Sequence, residues 1–125
     1  MAATLGSMLL ASTDPDRLGA WYTTALEPAA DRKEGPYRIL GFGGFWLMID
    51  TRDDVSAPNP EPGRTIVNFD VPDARATAAR IDTLGTGWLA PLEDRDGSLF
   101  GTAIDPDGNY VQIIQLSAAA RAAMA

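Results

Sequence analysis

Two helix starts of one kind, built on Asp14 and on Asp73 and set 59 positions apart, constrain this chain more than any other feature. The first is Thr13-Asp14-Pro15-Asp16-Arg17. Thr13 or Asp14 can accept the free amide hydrogens of a first turn, Pro15 has the fixed φ that turn needs, and Asp16 sits at the positive end of the helix dipole. Leu18, Trp21, Tyr22, Ala25 and Leu26 follow at i, i+3, i+4, i+7 and i+8, one apolar face of a helix that Pro28 ends. The second start is Pro72-Asp73-Ala74-Arg75, with Thr77, Ala78, Ile81 and Leu84 as its apolar stripe and Gly85 placed to stop it. An apolar run precedes each start, Ser7 to Ser12 and Thr65 to Val71, and each run reads as a strand.

Further strands follow both helices. Tyr37 to Phe42 and Phe45 to Ile49 flank Gly43-Gly44, which predicts a two-residue hairpin turn because both turn positions need positive φ. Trp88 to Leu92, Ser98 to Ile104 and Asn109 to Leu116 predict three strands after the second helix. An offset close to half the chain marks an internal duplication of strand–helix–strand–strand–strand units. A generic α+β sheet with two helices is the alternative. The first unit is expected at about 5–55, a linker carrying Pro58, Pro60 and Pro62 at 56–63, the second unit at about 64–116, and an alanine-rich tail at 117–125. The tail reads as a frayed helix or a segment packed on a partner subunit. The polar stretch from Pro28 to Pro36 carries no readable geometry and is taken as a loop.

Composition then removes whole classes of chemistry. The 125 residues suit one domain and include no cysteine and no histidine. Disulfides, thiol nucleophiles, Ser-His-Asp triads and His-based metal sites are therefore excluded. Any metal would need an all-oxygen site. A net charge of -7 repels phosphate backbones, so no nucleic-acid partner is expected. No apolar run approaches the length of a membrane span. Met1-Ala2-Ala3-Thr4-Leu5 has no basic residue ahead of its apolar stretch, so no secretory signal is expected and the cytoplasm is the expected location.

The run Ile104-Asp105-Pro106-Asp107-Gly108-Asn109-Tyr110-Val111-Gln112-Ile113 is similar to the DPDGN hairpin that closes members of the vicinal oxygen chelate superfamily. Asp14 to Leu26, with Trp21-Tyr22 where that family usually has Phe-Tyr, adds to the resemblance, which extends from about Leu5 to Leu116. The superfamily includes glyoxalase I, bleomycin-resistance proteins and extradiol dioxygenases. The resemblance implies an α+β fold of two βαβββ units, each a curved half-barrel sheet with its helix on the convex side, enclosing a cavity. It also implies a homodimer. Metal-dependent members take His or Glu ligands from the first and last strands of each unit, positions that fall here on Ser7, Met48, Ile66 and Gln112. Two neutral oxygens, a thioether and an alkyl group supply no negative charge, so no metal and no other cofactor is expected.

Strand alternation assigns the cavity side. Ser7, Tyr37, Trp46, Met48 and Asp50 fall there in the first unit; Asn68, Thr102, Tyr110 and Gln112, with Ile66, Asp70, Phe100, Ile104 and Ile114, fall there in the second. Flat rings beside a few oriented polar groups suit an organic ligand, and the carboxylates suit a cationic group on it. The candidate ligand-binding residues are thus Ser7, Tyr37, Trp46, Met48, Asp50, Asn68, Thr102, Tyr110 and Gln112, with Trp46 foremost. The expected function is metal-free binding of a small hydrophobic or cationic organic molecule, of the antibiotic-sequestering kind that bleomycin-resistance proteins perform. One alternative is a metal-free isomerase, lyase or cyclase with Asp50 or Asp70 as general base. A metal-dependent lyase or dioxygenase returns if the ligand positions are misaligned, and a subunit whose cavity its own side chains fill is a further possibility.

Overall fold

The computed structural model describes residues 1–124 and divides into two compact units, Met1–Ala57 and a second beginning at Pro58. In the first unit, β1 (Ser7–Ser12) leads into α1 (Pro15–Leu26), then β2 (Ala30–Glu34), β3 (Tyr37–Phe42) and β4 (Phe45–Thr51). Asp14 caps α1 by accepting the Arg17 amide hydrogen at 3.2 Å, and Ser12 Oγ accepts that of Asp14 at 2.9 Å. The helix stops one residue before Pro28, at Glu27, which takes the left-handed conformation. The sheet order is β1-β4-β3-β2, with β1 parallel to β4 and the other pairs antiparallel. Gly43 and Gly44 have φ of 57° and 90°, as the predicted turn requires, and it sets Phe42 opposite Phe45 and Ile39 opposite Met48. Leu40, Leu47 and Ile49 thereby share the face that buries Leu18, Trp21, Tyr22 and Ala25 of α1.

Strand β2 replaces the expected loop in the 28–36 segment. Its sequence, Ala30-Asp31-Arg32-Lys33-Glu34, has no apolar alternation because it forms the outer edge of the sheet, where charge protects unpaired backbone. Arg38, opposite Lys33, lies on the helix side of β3, and its guanidinium spans Asp31 (2.9 and 3.1 Å) and Thr23 (3.4 Å). The arginine crosses α1 at Gly19, where an added Cβ would stand 2.8 Å from Arg38 Nη1. Hydrogen bonding to Arg38 holds the Asp31 carboxyl below its ordinary value.

The second unit repeats the plan. β5 (Val67–Asp70) precedes α2 (Ala74–Asp82), then come β6 (Trp88–Arg95), β7 (Ser98–Ile104), β8 (Tyr110–Gln115) and a terminal α3 (Ala118–Ala123) with no buried residue. The sheet order is β5-β8-β7-β6, again with the first pair parallel. Asp73 caps α2 through the Ala76 amide at 3.1 Å, and Gln115 Oε1 accepts the Ala74 amide hydrogen at 2.7 Å. Ala74, Thr77 and Ile81 bury against the side of the sheet that carries Val111, Ile113 and Ala103. β6 runs three residues beyond its predicted end, through Arg95, interrupted by two register shifts around Pro91. Asp96-Gly97 forms the turn, both with positive φ.

Asp105 organises the turn before β8. Its Oδ1 accepts the amide hydrogens of Asp107 (2.9 Å) and Asn109 (3.0 Å), and its Oδ2 that of the Asn109 side chain (2.9 Å). The end of the proline-rich segment is fastened to this turn: Asn59 donates its amide to the Asp107 carbonyl at 2.8 Å and its side-chain Nδ2 to Asn109 Oδ1 at 2.8 Å. Gly108, with φ of 81°, has room for no Cβ, which would lie 2.9 Å from Pro58 Cβ. Each unit is a βαβββ arrangement within an α+β architecture of two open four-stranded mixed sheets.

Candidate functional site

The register lays out, row by row, the sheet face of the first unit that turns away from α1. Ser7, Trp46, Gly41 and Ala30 form one row; Leu9, Met48, Ile39 and Arg32 form the next. Ala11 pairs with Asp50, and Tyr37 with Glu34, on the following row of the same face. All five candidates from this unit therefore share one surface: Ser7, Tyr37, Trp46, Met48 and Asp50. Its centre is apolar and partly open, with Leu9 47% exposed and Ile39 and Met48 half-buried.

Trp46 has a packing partner that the sequence alone did not suggest. Its indole lies over Gly41, where an added Cβ would come within 2.9 Å of the ring, and the Arg32 guanidinium sits 5.8 Å from the ring centroid. The indole remains 38% exposed. Among the described residues Arg32 otherwise pairs only with Glu34, at 3.8 Å, and keeps an exposed side chain. Arg32 escaped notice because its segment reads as a loop; the signal for it is the βαβββ plan itself, which demands a third strand there.

Asp50 is the electrostatic feature of this face. Its Oδ1 is buried and meets no hydrogen-bond donor among the described residues. Arg52, two residues on, instead binds Asp54 in a fork, with Nε at 2.8 Å and Nη2 at 2.6 Å from the two carboxylate oxygens. That hydrogen bonding raises Arg52 and lowers Asp54 from their ordinary values. A shallow open hollow at the ends of β1 and β4, lined by Thr13, Thr51, Arg52 and Asp53, contains none of the candidates. It offers two hydroxyls, the Asp53 carboxylate and an arginine that Asp54 already binds.

In the second unit Asn68, Gln112, Thr102 and Ala90 form a row on the face away from α2, next to one of Asp70, Ile114, Phe100 and Glu93. Tyr110 pairs with Ile104 on the same face. The four candidates Asn68, Thr102, Tyr110 and Gln112 thus share one face, Thr102 buried and Asn68 directly opposite Gln112 in the register. Arg95 covers Phe100 at 5.3 Å from the ring centroid, much as Arg32 covers Trp46. Asp70 is exposed and ends β5. Ile66 lies outside the strand and is 40% exposed.

These residues do not fit a divalent ion. Ser7 and Met48 share a face but offer a hydroxyl and a thioether, Gln112 offers a neutral amide, and Ile66 offers no donor atom. No group of three or more His, Cys, Asp or Glu side chains gathers in metal-binding proximity among the described residues. No helix among them is long and apolar enough to cross a membrane.

Matched registers, twin aspartate caps and the closing turn define a vicinal oxygen chelate fold, and residues 7–114 match the family model of the glyoxalase-like domain. The chain belongs to this glyoxalase-like family of the vicinal oxygen chelate superfamily. Solved structures share the fold at low identity. The fosfomycin resistance protein FosX from Mesorhizobium loti is 18% identical with a TM-score of 0.76, over 98% of this chain and 99% of its own. The oxidase ChaP-H2 is 17% identical with a TM-score of 0.76, over 94% and 96%. TioX from Micromonospora sp. ML1 is 21% identical with a TM-score of 0.66, over 90% and 98%. Among curated proteins none matches the chain.

Proposed function

We propose that the chain binds a small hydrophobic or cationic organic molecule, without metal, in the manner of a resistance protein that sequesters its antibiotic. The observation that carries this reading is the face of the first sheet away from α1. An apolar row of Leu9, Ile39 and Met48 is bracketed by Trp46 and Tyr37 and edged by a buried carboxylate oxygen with no donor. Folding gains little from leaving such a row open, whereas a ligand with a flat apolar body would cover it. Ser7 adds a hydroxyl to this face; Asn68, Thr102, Tyr110 and Gln112 give the second sheet a more polar surface of the same kind. A resistance protein among the structures of like fold supports the reading.

A homodimer is part of the proposal. β1 is an edge of its sheet and, unlike β2, carries no charged residue, so its backbone invites pairing. A cytoplasmic location is proposed with it. The test is a melting-temperature screen of aromatic and amphipathic compounds, run in chelator, against the wild-type chain and Trp46→Ala. Stabilisation by a subset of compounds, weakened in Trp46→Ala, is expected; a flat response across the panel contradicts the reading. Removing the indole should weaken binding about two- to tenfold, the usual worth of one ring contact.

The donor-free oxygen of Asp50 also favours a second reading, a metal-free isomerase, lyase or cyclase in which Asp50 takes a proton from a bound substrate. Turnover of a stabilising compound, abolished in Asp50→Asn, would identify it.

A further inference from the structure

We propose that the ligand of the first sheet is a monocationic organic ammonium compound, with its N–H group on Asp50 and its apolar end toward Trp46. This rests on the reading of that face as a ligand site and assigns its chemistry. A buried carboxylate oxygen without a donor is costly unless something supplies one. The nearest cation along the strand does not: Arg52 turns Nε and Nη2 to Asp54. Beside Asp50 stands Ala11, which has no polar side chain. Asp50 as a whole is only half-buried, so its carboxylate stays within reach of a donor brought from outside, and a charged N–H is the strongest available.

The other end of the face has the opposite polarity. Trp46 lies four residues back along β4, about 13 Å at the usual rise of a strand. The indole lies over Gly41 and already carries the Arg32 guanidinium, 5.8 Å from its centroid. A second positive charge on the ligand would meet Arg32 there, so the face accepts a cation at one end only. Between the two ends, Met48, Leu9 and Ile39 offer an apolar row to a body of about two rings.

Three biphenyl probes test this by calorimetry: 4-phenylbenzylamine, the neutral 4-phenylbenzyl alcohol, and 4,4′-bis(aminomethyl)biphenyl. The wild-type chain is expected to prefer the amine over the alcohol by about tenfold or more, the usual worth of a charge-assisted hydrogen bond. In Asp50→Asn the amine and the alcohol should bind alike. Arg32→Gln should raise the affinity of the bis-amine threefold or more. Equal binding of amine and alcohol by the wild-type chain overturns the ammonium assignment and leaves the binding reading standing. Binding of none of the three overturns both. A preference that survives in Asp50→Asn places the cation elsewhere, and a bis-amine indifferent to Arg32→Gln overturns the orientation.

Discussion

Gly41 is a small residue with a large consequence. It has no positive φ to explain it; what it provides is room for the Trp46 ring. In Gly41→Ala the new Cβ would press on the indole at 2.9 Å and on Ala30 Cβ at 3.1 Å. The expected loss is about 1–3 kcal/mol, the range for overpacking, with a shift in tryptophan emission as the ring moves; an unchanged melting temperature and spectrum would refute the contact. Asp31 and Arg38 form an ion pair whose strength depends on pH. The carboxyl has a lowered folded pKa because Arg38 hydrogen-bonds it, so the unfolded chain takes up its proton first as pH falls. The pair's stabilisation is therefore present above the ordinary carboxylate value and lost as pH drops below about 4 through the lowered one. Both side chains are partly exposed, which keeps the effect modest. Melting temperatures between about pH 5 and about pH 2 should fall less steeply in Arg38→Met, which keeps the packing on Gly19 but not the charge.

At the scale of the element, the β7–β8 turn separates two aspartates of the same motif. Asp105 accepts three hydrogen bonds, whereas Oδ1 of the buried Asp107 meets no donor among the described residues. Asp105→Ala should cost at least about 2 kcal/mol in urea unfolding, and Asp107→Ala distinctly less, because the first leaves turn donors unmet and the second removes an unmet acceptor. Equal costs would mean that the turn is held by its backbone alone. This scale also shows what a sequence discloses. Both helices, their caps, the Gly43-Gly44 turn and the pairings of Phe42 with Phe45 and Thr102 with Gln112 were legible, because each follows from local spacing or backbone conformation. β2 was not, since an edge strand earns its place through backbone pairing with β3, and its charged side chains leave no period to read. The end of β6 was hidden for a related reason: Pro91 and two register shifts break its alternation. Within the site, membership of a face was legible from alternation. Arg32 over Trp46 and the donor-free Oδ1 of Asp50 depend on how side chains lie across neighbouring strands, which no spacing rule encodes.

For the whole molecule, the duplication explains why one chain carries two faces of similar construction and different chemistry. The two parallel pairs match in register: Leu9 stands beside Met48 in one unit as Asn68 stands beside Gln112 in the other. The same position is therefore apolar in the first sheet and amide-lined in the second. The glyoxalase-like family fixes this frame, and the residues at the metal positions depart from what a divalent ion needs. The proposed function stands or falls on whether the first sheet's face takes an organic ligand unaided by metal. The most direct test is NMR shift mapping of the chain titrated with 4-phenylbenzylamine in chelator. The Trp46 indole N–H and the methyl groups of Leu9, Ile39 and Met48 are expected to move together and saturate together, while Leu18 and Ala25 under α1 stay still. Shifts confined to the helix side, or binding that appears only when a divalent ion replaces the chelator, would contradict it.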